Sequence, residues 1–82
     1  MLEEINEPVE VLAVFKKDMV YPNLIRWNNK VYKIKKLNMV HHVLNGDAMI
    51  HYFSVSDNFN FFKLAFNSKN LKWTLEQLYN EG

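Results

Sequence analysis

Eighty-two residues, 49% of them hydrophobic, provide for one small core and little more, so a single domain is expected. The absence of cysteine excludes disulfides, thiolate chemistry and every cysteine-based zinc motif. The net charge of +1 is uneven: the first ten residues are acidic, whereas Lys16, Lys17, Arg26, Lys30, Lys33, Lys35 and Lys36 face only Asp18 in the stretch that follows.

The opening MLEEINE lacks a useful period, so residues 1–7 are expected to form a flexible acidic tail, and residues 8–82 a single small β-barrel-like domain. Pro8 suits a strand start, where its missing N–H costs least. VEVLAVF (9–15) is β-rich and nearly continuous in apolar residues, the pattern of a strand covered on both faces. A connection, KKDMVYP, follows. NLIRWNNKVYKI then reads as a hairpin, because Asn28 and Asn29 tolerate positive φ between two alternating runs. Any even-length loop there places Ile25 and Trp27 on one face with Tyr32 and Ile34.

That inward parity is even at Tyr32 and Ile34 but odd at Leu37 and Met39. One residue must therefore be absorbed at Lys35 and Lys36, which a β-bulge does, bending the strand. The next hairpin turns near Gly46. A three-residue loop with Gly46 left-handed would put Leu37, Met39 and His41 beside His51, Phe53 and Val55. Further turns at residues 57–60 and 67–70 align Phe53 and Val55 with Phe62, Leu64 and Phe66, and those with Leu71, Trp73 and Leu75. Three strands agreeing on one apolar face fix the register, since a one-residue slip would expose the whole set. Finally Thr74, Leu75, Glu76 and Gln77 fit the capping-box pattern, and Leu75, Leu78 and Tyr79 share one side of a short helix. The expected fold is all-β: a six-stranded antiparallel meander bent into a small open barrel and closed by a short C-terminal helix.

Little in this chain supports catalysis. Its carboxylates, Glu10 apart, fall in the tail, the turns and the terminal helix, and Ser54 and His51 point to opposite sides of one strand, so no triad assembles with Asp57. No phosphate loop can form from Gly46 and Gly82 alone. His41 and His51 can face each other across a hairpin, but a metal wants a third or fourth ligand and none is placed. A non-enzymatic protein without metal or cofactor is expected. It carries neither a secretory-type start nor an apolar run near the roughly 18 residues of a membrane helix, so the expectation is a cytoplasmic protein with no membrane partner.

The basic stretch suggests a binding role. Arg26, Lys33 and Lys35 share the outer face of the first hairpin, with Lys16 and Lys17 nearby, and like charges so close invite a compensating polyanion. Small β-barrels bind single-stranded nucleic acid through such faces, with aromatic residues for stacking, here Tyr21 and Tyr52. The competing reading is that the lysines guard an edge strand against aggregation. The module would then engage a protein partner, or a second copy, through an open edge supplied by the first or the last strand.

The combination of Pro22, Trp27, Tyr32 with Ile34, Tyr52 with Phe53 and Val55, and Trp73 with Leu75 resembles a family of small bacterial β-domains. Such domains stand free or sit at the C-terminal end of proteins related to Y-family translesion polymerases. The resemblance spans residues 9–79 and implies a small β-fold and a DNA-repair context, with no activity to carry over. The chain departs from that pattern in having Asn28 and Asn29 where glycine is usual, and Leu37 or Met39 where a tryptophan is expected.

Overall fold

The computed structural model describes residues 1–80. Seven strands, β1 (Leu2–Lys16), β2 (Met19–Trp27), β3 (Lys30–Lys33), β4 (Lys36–Asn45), β5 (Ala48–Ser56), β6 (Asn60–Asn67) and β7 (Lys72–Asn80), form one open antiparallel sheet in the order β3-β2-β1-β7-β6-β5-β4. The sheet folds at β1. Residues 2–9 of that strand pair with β7, and residues 10–16 pair with β2. A five-stranded half (β1, β7, β6, β5, β4) thereby packs against a three-stranded half (β1, β2, β3), with the core between them.

The core is the apolar face that the alternation specifies in β2, β3, β5 and β6, whereas in β4 Val40 is inward in place of the expected Met39, which is exposed. Ile25, Phe53, Val55, Phe62, Leu64, Phe66, Leu75 and Leu78 are buried, and Val9, Trp27, Tyr32, Ile34, Val40 and Trp73 pack against them. Trp73 lies between Phe66, with ring centroids 4.7 Å apart, and Phe53 at 5.5 Å. Tyr32 meets Phe62 edge-on at 5.2 Å and so ties the two halves together.

Local chemistry explains the turns. Asn28 and Asn29 both have positive φ (53° and 62°), as a two-residue hairpin loop of the I′ kind demands, and Trp27 pairs with Lys30. Asp57 closes the β5–β6 turn by accepting hydrogen bonds from the backbone N–H groups of Phe59 (2.8 Å) and Asn60 (2.7 Å). At Lys35 and Lys36 the predicted bend is present. Ile34 N–H donates to Asn23 O and Lys35 N–H to Ser56 O, so the run leaves β2 as β3 and joins β5 as β4. The third expected strand is thereby divided in two, which gives seven strands instead of six.

Several expectations are corrected. The acidic stretch 1–7, expected as a flexible tail, is the first half of β1, with Leu2 opposite Tyr79 and Glu4 opposite Gln77. Pro8 therefore lies inside a strand, opposite Thr74, next to where β1 changes partners. The KKDMVYP connection is a tight hairpin turning at Lys17 and Asp18, and Pro22 is buried at a bulge in β2. β1 is not covered on both faces, since Leu12, Val14 and Phe15 are exposed.

The C-terminal helix is absent: residues 72–80 form β7, and there is no helix among the described residues. Leu75 and Leu78 do share the core face at the helical spacing of three. A bulge produces that spacing: Lys63 pairs with Gln77 but Leu64 with Leu75, so Glu76 is the extra residue. Leu71, expected in the core, is exposed in the β6–β7 loop with φ of 62°.

Candidate interaction surface

The predicted basic residues do not converge on one surface. Arg26 and Lys33 share the outer face of the three-stranded half with Tyr21, which is opposite Val14. Arg26 is opposite Glu10, its Nε 3.5 Å from Glu10 Oε1, so the strongest cation of the set is already paired. Leu24 is opposite both Leu12 and Lys33, and Val31 is opposite Arg26. Apolar side chains thus interrupt the charges. Lys16 and Lys17 sit at the β1–β2 turn, and Lys35 lies at the crossover from β3 to β4. Tyr52 belongs to the other half of the molecule, on the outer face of β5, with Lys63 Nζ 5.5 Å from its ring centroid. It shares no surface with Tyr21.

The histidines also arrange differently from the expectation. The loop after β4 has two residues, Gly46 and Asp47, with Asn45 paired to Ala48, in place of the expected three-residue loop. Gly46 still takes positive φ (64°), at the first loop position. The even loop pairs His42 with His51 on the inward face and His41 with Tyr52 on the outward face. A second register shift, between Leu37 and Met39, returns Val40 to the core side. His42 Nδ1 and His51 Nδ1 are 2.7 Å apart, close enough for a single shared proton. Partial burial, then the proximity of His42, holds the His51 imidazole below its usual pKa. No third His, Cys, Asp or Glu joins them in a metal-binding group among the described residues.

The least protected feature is the edge of the sheet. β1 was the expected edge strand, together with the last strand, but β1 and β7 pair with each other and both are interior. The true edges are β3 and β4. β3 is short and begins and ends in lysine, the common natural guard against edge pairing. β4 is long and has β5 as its one sheet neighbour. Between Lys36 and Asp47 it carries no formal charge apart from what His41 and His42 acquire, while Met39 (64% exposed), Val43 (39%) and Leu44 (67%) project into solvent. On its outer face Met39, His41 and Val43 line a groove completed by Tyr52, Ser54, Lys63 and Glu76, the last two 3.8 Å apart as an ion pair.

The uncharged run 37–46 was readable in the sequence; its position at an edge was not. No protein-family model, curated protein or solved structure matches this chain. The residues that resemble the bacterial β-domain family are mostly packing residues here: Pro22, Phe53, Val55 and Leu75 are buried and Trp27, Tyr32, Ile34 and Trp73 line the core. Such positions speak for a fold and leave the activity open.

Proposed function

We propose that this protein is a non-enzymatic binding module that works by strand addition, an extended segment of a partner polypeptide pairing with the free edge of β4. The observation that carries this reading is the β4 edge itself: ten residues long, without a Lys, Arg, Asp or Glu after its first residue, Lys36, and bearing exposed Met39, Val43 and Leu44. Every second residue of an edge strand offers an unpaired N–H and C=O, so main-chain hydrogen bonds supply affinity and the outer groove supplies side-chain selectivity. A phage-displayed library of linear peptides, panned against the wild type, tests it. Enriched peptides should shift and protect the β4 amides in NMR spectra, and Val43→Lys should weaken them; shifts confined to the three-stranded half would refute the reading.

A second reading keeps nucleic acid as the partner, in the repair context that the family resemblance suggests. Its support is that Lys16, Lys17, Lys33 and Lys35 have no carboxylate within ion-pair distance among the described residues, with Tyr21 exposed in the same half. Phosphate contacts of this kind would give affinity with little sequence preference. Anisotropy of a labelled single-stranded oligonucleotide should then fall steeply between low and moderate salt and be lost in a Lys33→Glu, Lys35→Glu variant. No binding at low salt removes this alternative.

A further inference from the structure

We infer that the segment added to β4 is β4 of a second copy, antiparallel and centred on His41, in an assembly that weakens on acidification. This inference rests on the strand-addition reading and names its partner. In a symmetric pair joined edge to edge, the two-fold axis stands perpendicular to the sheet, so outward residues can oppose only outward residues and inward only inward. Centring on His41 obeys this. Met39 then opposes the second copy's Val43, Val40 opposes its His42, and His41 opposes its own counterpart at the axis.

The charge pattern selects this orientation. The uncharged run has basic Lys35 and Lys36 at one end and at the other acidic Asp47, whose exposed carboxylate already holds Lys69 Nζ at 2.6 Å. Antiparallel pairing about His41 brings Lys35 and Lys36 of each copy toward the Asp47–Lys69 ion pair of the other, where the second carboxylate oxygen can accept one of them; a parallel arrangement would set lysines against lysines. Apolar Met39 and Val43, exposed in the single chain, cover each other. Nothing charged interrupts the ladder while the imidazoles are neutral.

Histidine at the axis makes the contact pH-sensitive. His41 is faced by Tyr52 from β5, with the Lys63–Glu76 ion pair further along the same groove. His42 is faced by His51. Neither has a carboxylate directly opposite to offset a second positive charge, so protonating both copies sets like charges against each other across the axis.

Sedimentation equilibrium of the full chain at pH 8 and pH 5, with circular dichroism confirming that it stays folded, tests the inference. A dimer is expected at pH 8, with a dissociation constant roughly twofold to fivefold higher at pH 5. His41→Lys should weaken it by a similar factor at pH 8, and His41→Gln should dimerise with much of the pH dependence removed. A Lys35→Glu variant should be weaker, and adding Asp47→Lys to it should restore the dimer. A dimer indifferent to His41→Lys uses another surface and overturns the inference. A wild-type chain that is monomeric at millimolar concentration overturns it as well. In that event, peptides captured on β4 would leave the strand-addition reading standing, and a failure to capture any would remove both.

Discussion

Leu71 offers a test in which the sequence pattern and the three-dimensional structure give opposite signs. By alternation it belongs with Phe62, Leu64 and Phe66 on the core face, where replacing it with a small residue would cost about 2–5 kcal/mol. In the structure it is 70% exposed, has φ of 62°, and its N–H donates to Asn67 O at 2.8 Å. A left-handed backbone costs an L-residue about 1–2 kcal/mol, which glycine escapes. Glycine also loses more freedom on folding, about 0.5–1 kcal/mol. With little packing to lose, Leu71→Gly should stabilise the protein by about 0.5–1 kcal/mol, and Leu71→Asn should act in the same direction. For a domain of this size that is a rise in melting temperature of roughly 2–8 °C. Urea denaturation at pH 7, with unchanged m-value, is the assay. A loss of more than about 2 kcal/mol would show that Leu71 packs in the core and that the β6–β7 loop is misread.

Gly46→Ala should cost about 1–2 kcal/mol from backbone strain alone, because no atom lies within 4 Å of the added Cβ; Gly46→Asn should cost less, and urea midpoints of the two variants check the order. Burial acts to raise the Asp57 pKa, but the N–H groups of Phe59 and Asn60 and the Asn60 side chain outweigh it and hold the carboxyl below its usual range. Its contribution is therefore complete above the unfolded carboxylate pKa and lost as pH falls through the lower folded value. Asp57→Asn should cost about 1 kcal/mol at neutral pH and flatten that part of the acid profile in urea titrations. His51, also depressed, binds its proton more readily when unfolded, so stability should begin to fall as pH drops below 6.5; His51→Gln should remove that slope, and an unchanged profile would refute the histidine pair. Trp27 Nε1 donates to Glu7 Oε1 at 2.9 Å and fastens β1 to the β2–β3 hairpin. Trp27→Phe should lose about 1 kcal/mol by thermal melting, the small value reflecting the exposure of the pair.

The misreadings share a cause. Leu75 and Leu78 have helical spacing, and a capping-box pattern precedes them, yet a bulged strand gives the same spacing when Glu76 is left over against β6. Which of the two forms depends on whether another strand lies alongside. β1 lies on the far side of β7, and the stretch at its start found no partner in sequence because the residues opposite Glu3 and Glu4 lie more than seventy positions away, as Glu4 with Gln77 shows (2.8 Å between side chains). The histidines were misassigned for a smaller reason. One residue more or less in the loop at Gly46 exchanges which face His41 and His42 occupy.

The sequence by itself determined what a short window can hold. Turn chemistry at Asn28 and Asn29 and at Asp57, the alternation that buries Phe53, Val55, Phe62, Leu64 and Leu75 and packs Trp73 against them, and the parity break at Lys35 and Lys36 all depend on neighbours within a few positions. Only the tertiary structure decided which strands stand at the edges. That choice rests on β1 pairing with β7 across nearly the whole chain, and with β2 beyond it, so that both sides of β1 are occupied. The candidate surface follows from the same non-local fact: β4 is exposed to a partner because every other long strand has already found two.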